Sequence, residues 1–414
     1  MNTTANLRKE NLLEILKVIR SQKRVTRPEI AKKTKLTGVT VSTLIAELMS
    51  RNLVVEEGLT DSRGGRKAVA YKLNETLYYI IGVYINPDVL TIDIYDLNGN
   101  RAASGLSTSA HRGQTVENTI SLIIKGVQQV IEGAGKEKRD IIGIGVLVPG
   151  RVDFAKGIVH YLPNISNWID IPLKTILERE LGITTLVERD TNSQILYLKM
   201  KGLTDHVNSV VYCSITEGVG ASVQVDGKVF HGDHGLAGEV GHTIVMPDGP
   251  ECSCGNRGCV ESLSSTRAII GCYERALEQT GRALEDVMGA GASELPEDEK
   301  INRLLELAAE GDVAADQAFL TSVKYLGICI HNIINTYDPG HIIVECRWMK
   351  KARKYFNQLV SGVFDSHNIM NRSDVKIVLN PVDDICSVAA YAIVIEWLMS
   401  DPMKNILINN SANV

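Results

Sequence analysis

A histidine and three closely spaced cysteines constrain this chain more than any other feature of its sequence. The four residues are His242, Cys252, Cys254 and Cys259. One imidazole and three thiolates form a tetrahedral ligand set for zinc, and four protein ligands leave no position for a reacting water. We therefore expect a structural Zn2+ ion that holds a loop in place. Glu239 precedes the histidine by three residues and Glu261 follows the last cysteine by two, so both carboxylates are expected at this loop.

The alternative for these cysteines is a disulfide or a redox function. One Cys-x-Cys pair with a third cysteine five residues on, and no fourth nearby, makes a poor disulfide framework. The remaining cysteines lie in apolar contexts that are typical of buried thiols. They are Cys213, Cys272, Cys329, Cys346 and Cys386. The charged first turn, Leu7-Arg8-Lys9-Glu10, is not typical of a signal peptide, and this favours the reducing cytoplasm.

The length of 414 residues, 44% of them hydrophobic, is enough for two or three domains, and no membrane insertion is expected. The net charge of -5 conceals an asymmetry along the chain. Residues 1–74 carry 15 Lys and Arg against 7 Asp and Glu, a net charge of +8, so residues 75–414 carry -13. A basic head therefore precedes an acidic body.

Three helical segments and a basic turn make up the head. Residues 7–21 have amphipathic spacing, and Thr26 and Thr37 can each cap a following helix. Strands near residues 52–56 and 68–73 flank a turn rich in cations, so the order predicts a winged helix-turn-helix that binds DNA. The expected DNA contacts are Thr37, Thr40, Ser42 and Thr43 in the third helix and Arg63, Arg66 and Lys67 in the turn. The alternative is a small protein-binding helical domain whose charge is solvated.

The body alternates strands with helices and is predicted to be of the α/β class. Its last long helices are expected from residue 300 onward, and residues 289–299 are predicted to form a surface loop. Three domains are expected: residues 1–74 form the head, residues 75–195 with 385–414 a first lobe, and residues 196–384 a second lobe with the zinc loop and oligomerisation helices.

Several short motifs of the body accompany the cysteine cluster. The segment Gly238-Glu239-Val240-Gly241-His242 precedes the cluster, and Glu188-Arg189-Asp190 and Thr216-x-Gly218-x-Gly220 come before both. These motifs resemble the ROK family of repressors, open reading frames and sugar kinases, and the head is similar to that of the repressor branch of the family. The resemblance implies a two-lobed, actin-like (ribonuclease H-like) sugar-kinase fold with a sugar in the cleft.

The resemblance also implies a set of sugar-binding residues. They are Gly150, Asn164, Asp190, Glu239, His242 and Glu261. Asp190 matches the aspartate that acts as base in the family's kinases, while Arg189 replaces the asparagine expected before it. Carboxylates suit a polyol because each accepts two hydroxyl hydrogen bonds. By pattern alone, capping of a helix start is an equal alternative for Asp190 and for Glu261.

Two of the three phosphate-facing loops depart from the family's kinases. Asn86-Pro87-Asp88 stands where a glycine-rich loop is expected, and Glu345-Cys346 stands where a glycine pair is expected. Proline lacks an N–H donor and Asp88 adds a charge that repels phosphate. We therefore predict no catalytic residues, and a sugar-responsive repressor that a monosaccharide or sugar phosphate releases from operator DNA.

An active ATP-dependent sugar kinase and a repressor titrated by a sugar-transport protein remain alternative functions. The segments Pro163-Asn164-Ile165-Ser166-Asn167-Trp168 and Gly249-Pro250-Glu251-Cys252 look like those of the xylose-operon repressors of the family. The chain also resembles the N-acetylglucosamine repressors of the family. Xylose or a glucose-type sugar is the expected inducer, and a homodimer or homotetramer is the expected assembly.

Overall fold

The structure is a computed structural model that describes residues 4–59, 68–86, 89–103, 105–109, 113–162, 165, 167–204, 207–364, 374–383 and 385–401. The chain divides into two compact units, Met1–Tyr197 with Asp384–Val414, and Leu198–Asp383. The first unit contains both the basic head and a five-stranded sheet. The second contains another five-stranded sheet and the cysteine cluster. The finer predicted boundary between head and first lobe stays a prediction.

The head has the element order of a winged helix-turn-helix. Its elements are α1 (Thr4–Gln22), β1 (Val25–Thr26), α2 (Arg27–Thr34), α3 (Gly38–Ser50), β2 (Val54–Leu59) and β3 (Val69–Leu73). The strands pair antiparallel in the order β1-β3-β2. Residues 60–67 lie outside the described residues, and with them the predicted contacts Arg63, Arg66 and Lys67.

Local capping determines where the two central helices of the head begin. The Thr26 backbone N–H and hydroxyl both donate to the Glu29 carboxylate, at 2.8 and 2.7 Å, in a capping box at the start of α2. The Thr37 hydroxyl accepts from the Thr40 N–H at the start of α3. The apolar side chains of α3 are buried, as predicted: Val41, Leu44, Ile45 and Leu48.

The remainder of the first unit is a five-stranded sheet with helices on both faces. Its main elements are β4 (Tyr79–Ile85), β5 (Leu90–Asp96), β6 (Leu106–Thr108), α4 (Val116–Gly133), β7 (Ile141–Val148), a small sheet of β8 (Arg151–Asp153), β9 (Ile158–Tyr161) and β10 (Ile169–Ile171), α5 (Leu173–Leu181), β11 (Thr185–Arg189), α6 (Asp190–Met200, which continues into the second unit) and α14 (Cys386–Ser400). The strand order is β11-β7-β4-β5-β6. Strands β4 to β6 pair antiparallel, whereas β7 and β11 join the sheet in parallel.

Helix α14 packs unusually close to this sheet because glycines face it. A Cβ atom on Gly145 would lie 2.1 Å from the Ala390 carbonyl oxygen, and one on Gly82 would lie 2.8 Å from the Ser387 oxygen. Alanine at either position would force the helix away from the sheet, since real Cβ atoms do not approach backbone so closely. The two glycines therefore fix the distance between sheet and helix.

The second unit repeats the same sheet plan. Its elements are β12 (Ser209–Ile215), β13 (Val219–Val225), β14 (Lys228–Val229), α7 (Val260–Ser264), α8 (Thr266–Glu278), α9 (Glu285–Met288), α10 (Glu297–Glu310), α11 (Val313–Tyr337), β15 (His341–Glu345), α12 (Arg347–Lys351), α13 (Arg353–Phe364) and β16 (Lys376–Leu379). The order is β14-β13-β12-β15-β16, with an antiparallel meander followed by two parallel strands. The repeated plan is that of the predicted actin-like fold.

Helix α11 is long and apolar enough to cross a membrane by length and composition alone. Its apolar side chains instead form part of the core of the second unit, with Phe319, Val323, Leu326 and Ile330 buried. Phe319 packs against the Trp348 and Tyr355 rings, at centroid distances of 5.1 and 4.9 Å. The helix is thus the central core helix of an α/β unit.

The predicted surface loop at residues 289–299 is wrong for residues 297–299, which are helical, and for Ala292. Helix α10 begins at Glu297, so that three acidic residues occupy its first turn. Ala292 lies in a short 3-10 turn and is buried. The sequence contained the signal for this helix start, because Pro296 followed by consecutive acidic residues is favourable at the positive end of a helix dipole.

Candidate functional site

The four predicted metal ligands come together in the second unit. His242 ends a one-turn 3-10 helix, Val240–His242, and the cysteines lie on the loop that leads into α7. The candidate ligand atoms of all four residues lie within 4.8 Å of one another. Cys252 Sγ is 3.6 Å from His242 Nδ1, and Cys254 Sγ is 3.7 Å from Cys259 Sγ.

These spacings fit zinc. Bond lengths of about 2.3 Å to sulfur and about 2.0 Å to nitrogen place tetrahedral ligands roughly 3.5 to 3.8 Å apart. One histidine and three cysteines are also a soft donor set, which binds zinc in preference to cations that favour oxygen ligands. His242 would bind through Nδ1, which leaves its Nε2 for another partner.

The loop takes this shape through tight turns and short strand-like pairings. Ile244 pairs with Cys259, and Glu251 pairs with Arg257. Gly258 has a φ of 69°, and a Cβ there would lie 1.5 Å from the Met246 carbonyl oxygen. Because no other residue has room at this point, the glycine between Arg257 and Cys259 is required for the third cysteine to reach the cluster.

The cysteine thiols differ in their surroundings. Burial raises the pKa of Cys259 to about 12, and burial also raises the pKa of Cys252. The backbone N–H of Asn256 instead lowers the pKa of Cys254. Two buried neutral thiols become thiolates only when a cation compensates their charge, so metal binding here would release protons.

Two of the predicted sugar-binding carboxylates lie beside this cluster. Glu239 Oε2 is 3.8 Å from His242 Nε2. Glu261 Oε1 accepts a hydrogen bond from the Ser253 hydroxyl at 3.1 Å and lies 4.0 Å from Cys252 Sγ. The loop therefore presents one imidazole edge and two carboxylates together, a set of groups that can bind the hydroxyls of a sugar.

Glu261 also contacts the hairpin turn between β12 and β13. Its Oε2 accepts a hydrogen bond from the Val219 N–H at 3.1 Å. A Cβ on Gly218 would lie 2.8 Å from the same carboxylate oxygen. This turn carries the Thr216-x-Gly218-x-Gly220 motif, and here a carboxylate occupies the Val219 N–H donor.

The other two described members of the predicted sugar set belong to the first unit. Gly150 follows β7, and a Cβ at this position would lie 2.2 Å from the Tyr161 carbonyl oxygen. Asp190 begins α6 and its Oδ1 accepts from the Thr191 N–H at 2.7 Å. Asn164 lies outside the described residues. The role of all six residues in sugar binding stays a prediction.

A polar network follows β15 in the second unit, where the sequence departs from the family's kinases. Glu345 Oε2 accepts from Asn380 Nδ2 at 2.5 Å and pairs with Lys350 Nζ at 3.2 Å. Lys350 also pairs with Asp383 at 2.9 Å. This carboxyl edge of parallel strands is where α/β proteins usually bind nucleotides, and here these side chains pair with one another.

The predicted DNA-contacting residues on α3 are partly engaged within the helix. The Thr37 and Thr40 hydroxyls lie 2.9 Å apart at the helix start. The Thr43 hydroxyl donates to the Val39 carbonyl at 3.0 Å, and Ser42 is half-buried. Val39, which the sequence analysis did not select, is 78% exposed. Its position on the helix opposite the buried side chains was the signal that could have found it.

A duplicated α/β body with a zinc-type loop, joined to a winged helix-turn-helix, defines a class of DNA-binding proteins built on a sugar-kinase fold. The family model described as the ROK family matches residues 88–381. This chain belongs to the ROK family.

Its relatives include sugar-operon repressors. The xylose repressor of Bacillus spizizenii is 30% identical over 358 residues, which cover 86% of this chain and 87% of the relative. The xylose repressor of Caldicellulosiruptor bescii is 29% identical over 361 residues, or 85% and 88% of the two chains. The N-acetylglucosamine repressor of Shigella flexneri is 27% identical over 391 residues, or 93% and 92%.

Solved structures share the fold. A ROK family transcriptional regulator, described as a homologue of an E. coli protein, superposes with a TM-score of 0.81 at 23% identity, covering 97% of this chain and 99% of the other. The ROK hexokinase from Thermus thermophilus superposes with a TM-score of 0.63 at 22% identity, covering 78% and 99%. The head is thus shared with the regulator, and the body fold with regulator and kinase alike.

Proposed function

We propose that this protein is a sugar-responsive transcriptional repressor of carbohydrate-utilisation genes. The observation that carries the proposal is a winged helix-turn-helix in the same chain as a ROK body. Relatives that align along most of the chain are repressors of xylose and N-acetylglucosamine genes by name. Operator DNA is therefore the proposed macromolecular partner, bound by a dimer or tetramer.

The proposed effector is a monosaccharide or a sugar phosphate, with xylose or a glucose-type sugar first. Glu239 and Glu261 each contact a side chain of the metal loop, His242 and Cys252 respectively, which supports a shared task for these groups. Bound sugar would shift the population of the protein toward a conformation with lower affinity for the operator. A structural zinc ion would keep the loop in the binding geometry, because its four ligands lie on that loop.

We also propose that the protein does not transfer phosphate. Phosphoryl transfer depends almost entirely on the positioning and charge stabilisation of the phosphates. Asp88 and Glu345 stand at the two positions where the family's kinases have glycine-rich, phosphate-facing loops. A carboxylate at either position repels a phosphate instead of cradling it.

The test begins with a thermal-shift screen of the zinc-loaded chain against common monosaccharides and their phosphates. Duplexes that the full chain selects from a random-sequence library then serve as DNA probes in fluorescence anisotropy. We expect at least one sugar to raise the melting temperature and to weaken DNA binding. Glu239→Gln should lose the sugar response while it keeps DNA affinity, whereas the surface control Glu310→Gln should keep both.

Two outcomes would support the alternative functions. ATP-dependent phosphorylation of a sugar by the pure protein would establish a kinase. Unchanged DNA affinity across the whole sugar panel, combined with release of DNA by a sugar-transport protein, would establish a protein-responsive repressor.

A further inference from the structure

The outward face of α3 carries small, uncharged side chains. Val39, Thr43, Ala46 and Ser50 follow one another at intervals of four, three and four residues, and all four are exposed. This stripe lies opposite the four buried apolar residues of the same helix. Val39 is 78% exposed, so its apolar side chain is open to a partner.

The polar atoms of this stripe are already used inside the helix. The Thr43 hydroxyl donates to the Val39 carbonyl, and the Ser50 hydroxyl donates to the Glu47 carbonyl at 2.8 Å. Glu47, at the edge of the stripe, pairs with Arg8 at 2.6 Å. The stripe therefore offers methyl groups to a partner, and the Thr43 methyl and Ala46 continue the apolar surface that Val39 begins.

Cations shortly precede this apolar stripe in the chain. Lys32, Lys33 and Lys35 are exposed at the end of α2, immediately before α3 begins. An apolar stripe with a cationic flank matches the major groove, where phosphates border the base edges. Thymine is the base that presents a methyl group there, and valine, alanine and the threonine methyl are side chains that contact it.

We propose that Val39 reads thymine in the operator by packing against its C5 methyl group in the major groove. Thr43 and Ala46 would contact adjacent positions of the same half-site. The proposal rests on the proposed function, since it requires that the head binds DNA. It assigns base specificity to apolar contact, in addition to any contacts from the predicted hydroxyl residues.

The experiment replaces thymine by uracil, which removes only the C5 methyl group. Duplexes selected by the full chain are synthesised with thymine or with uracil at each selected thymine in turn, and their affinities are measured by anisotropy. The wild-type protein should bind more weakly by about four-fold at the contacted thymine, the value of one buried methyl. Val39→Ala should bind the thymine duplex more weakly and should no longer distinguish it from the uracil duplex.

Val313→Ala is the matched control, because Val313 is 79% exposed at the start of α11 in the second unit. It should behave as the wild type. Equal binding of thymine and uracil duplexes by the wild type would overturn this proposal and leave DNA binding intact. Full uracil sensitivity in Val39→Ala would overturn the assignment to Val39. Failure to select any duplex would overturn the proposed function itself.

Discussion

The two ring nitrogens of His242 lie near different side chains. Nδ1 lies 3.6 Å from Cys252 Sγ, inside the candidate zinc site, and Nε2 lies 3.8 Å from Glu239. A metal on Nδ1 fixes the ring orientation and leaves Nε2 as a hydrogen-bond donor. The geometry couples the metal loop to the proposed sugar site through a single side chain.

Loss of one thiolate should therefore affect the sugar response before DNA binding. In Cys254→Ser, we expect loss of bound zinc and of the sugar-dependent change in DNA affinity, since a hydroxyl is a poor zinc ligand. Affinity for DNA without sugar should persist, because the head belongs to the other compact unit. Metal analysis and anisotropy measure the two effects.

Cys272→Ser is the control for this variant, because Cys272 is half-buried on α8 and is not one of the four clustered ligands. It should retain zinc and the sugar response. Equal loss of sugar response and DNA binding in Cys254→Ser would show that the metal supports the whole protein and not the loop alone.

A second residue-scale prediction concerns pH. Lys354 Nζ and the Tyr355 hydroxyl donate to the Asp316 carboxylate at 2.8 and 2.7 Å and hold its pKa below the usual range. A lowered folded pKa stabilises the protein above the unfolded carboxyl pKa of about 3.9, and this stabilisation is lost as pH falls through the folded value. Asp316→Asn should cost on the order of 1 kcal/mol at neutral pH.

The difference between wild type and Asp316→Asn should shrink as pH falls below about 4, where the wild-type carboxylate also becomes neutral. Urea unfolding at a series of pH values, starting at neutrality, measures it. Asp233→Asn serves as the control, because Asp233 is exposed in a turn of the second unit. A difference that stayed constant with pH would exclude the Asp316 charge as its cause.

At the scale of elements, α14 connects the head to the sheet of the first unit. The Tyr391 hydroxyl donates to the Leu97 carbonyl at 2.6 Å, and the Tyr95 hydroxyl donates to Ser387 at 3.1 Å. The other end of the helix meets the head around a small apolar cavity. Its lining residues are Leu16, Leu53 and Leu73 from the head and Leu97, Ile395, Leu398 and Met399 from the lobe. The head is therefore packed on the lobe and not attached only by a linker.

Leu398→Ala should loosen the head. Leu398 is almost fully buried, and truncation of such a leucine costs about 2 to 5 kcal/mol. We expect faster amide hydrogen exchange in α1, because its packing partner is lost. Leu359→Ala truncates an equally buried leucine in the core of the second unit and should leave exchange in α1 unchanged. Identical exchange in α1 for both variants and the wild type would refute a supporting role for the α14 contact.

At the scale of the whole molecule, net charge distinguishes the head, which is proposed to bind DNA, from the body, which is proposed to bind the sugar. Residues 1–74 carry +8 and residues 75–414 carry -13, by the count of basic and acidic residues. The acidic body repels DNA and the basic head attracts it, so electrostatics orients the chain on a polyanion. Phosphate contacts of this kind make affinity fall with salt concentration.

Arg66→Gln should weaken DNA binding for all sequences alike. Affinity falls as salt concentration rises, and loss of one phosphate contact makes the slope of log affinity against log salt less steep by about 1. Arg139→Gln removes an exposed cation of the body and should leave the slope unchanged. Anisotropy titrations at several salt concentrations measure both slopes, and an unaltered slope in Arg66→Gln would remove this residue from the DNA interface.

Short-range chemistry was predictable from the sequence alone. The four metal ligands lie within 18 residues of one another, and the caps at Thr26 and Thr37 act on residues three positions away. The burial of the apolar face of α3 follows from helical periodicity, and the family was recognisable from motifs of a few residues. Each of these depends on neighbours along the chain, so no knowledge of the folded topology is needed.

Only the tertiary structure decided which distant groups meet. The Glu261 carboxylate reaches the Val219 N–H across 42 residues, and Asn380 reaches Glu345 across 35. Chain folding brings such groups together through the packing of sheets and helices, and local sequence specifies the chemistry of each group but not its partner.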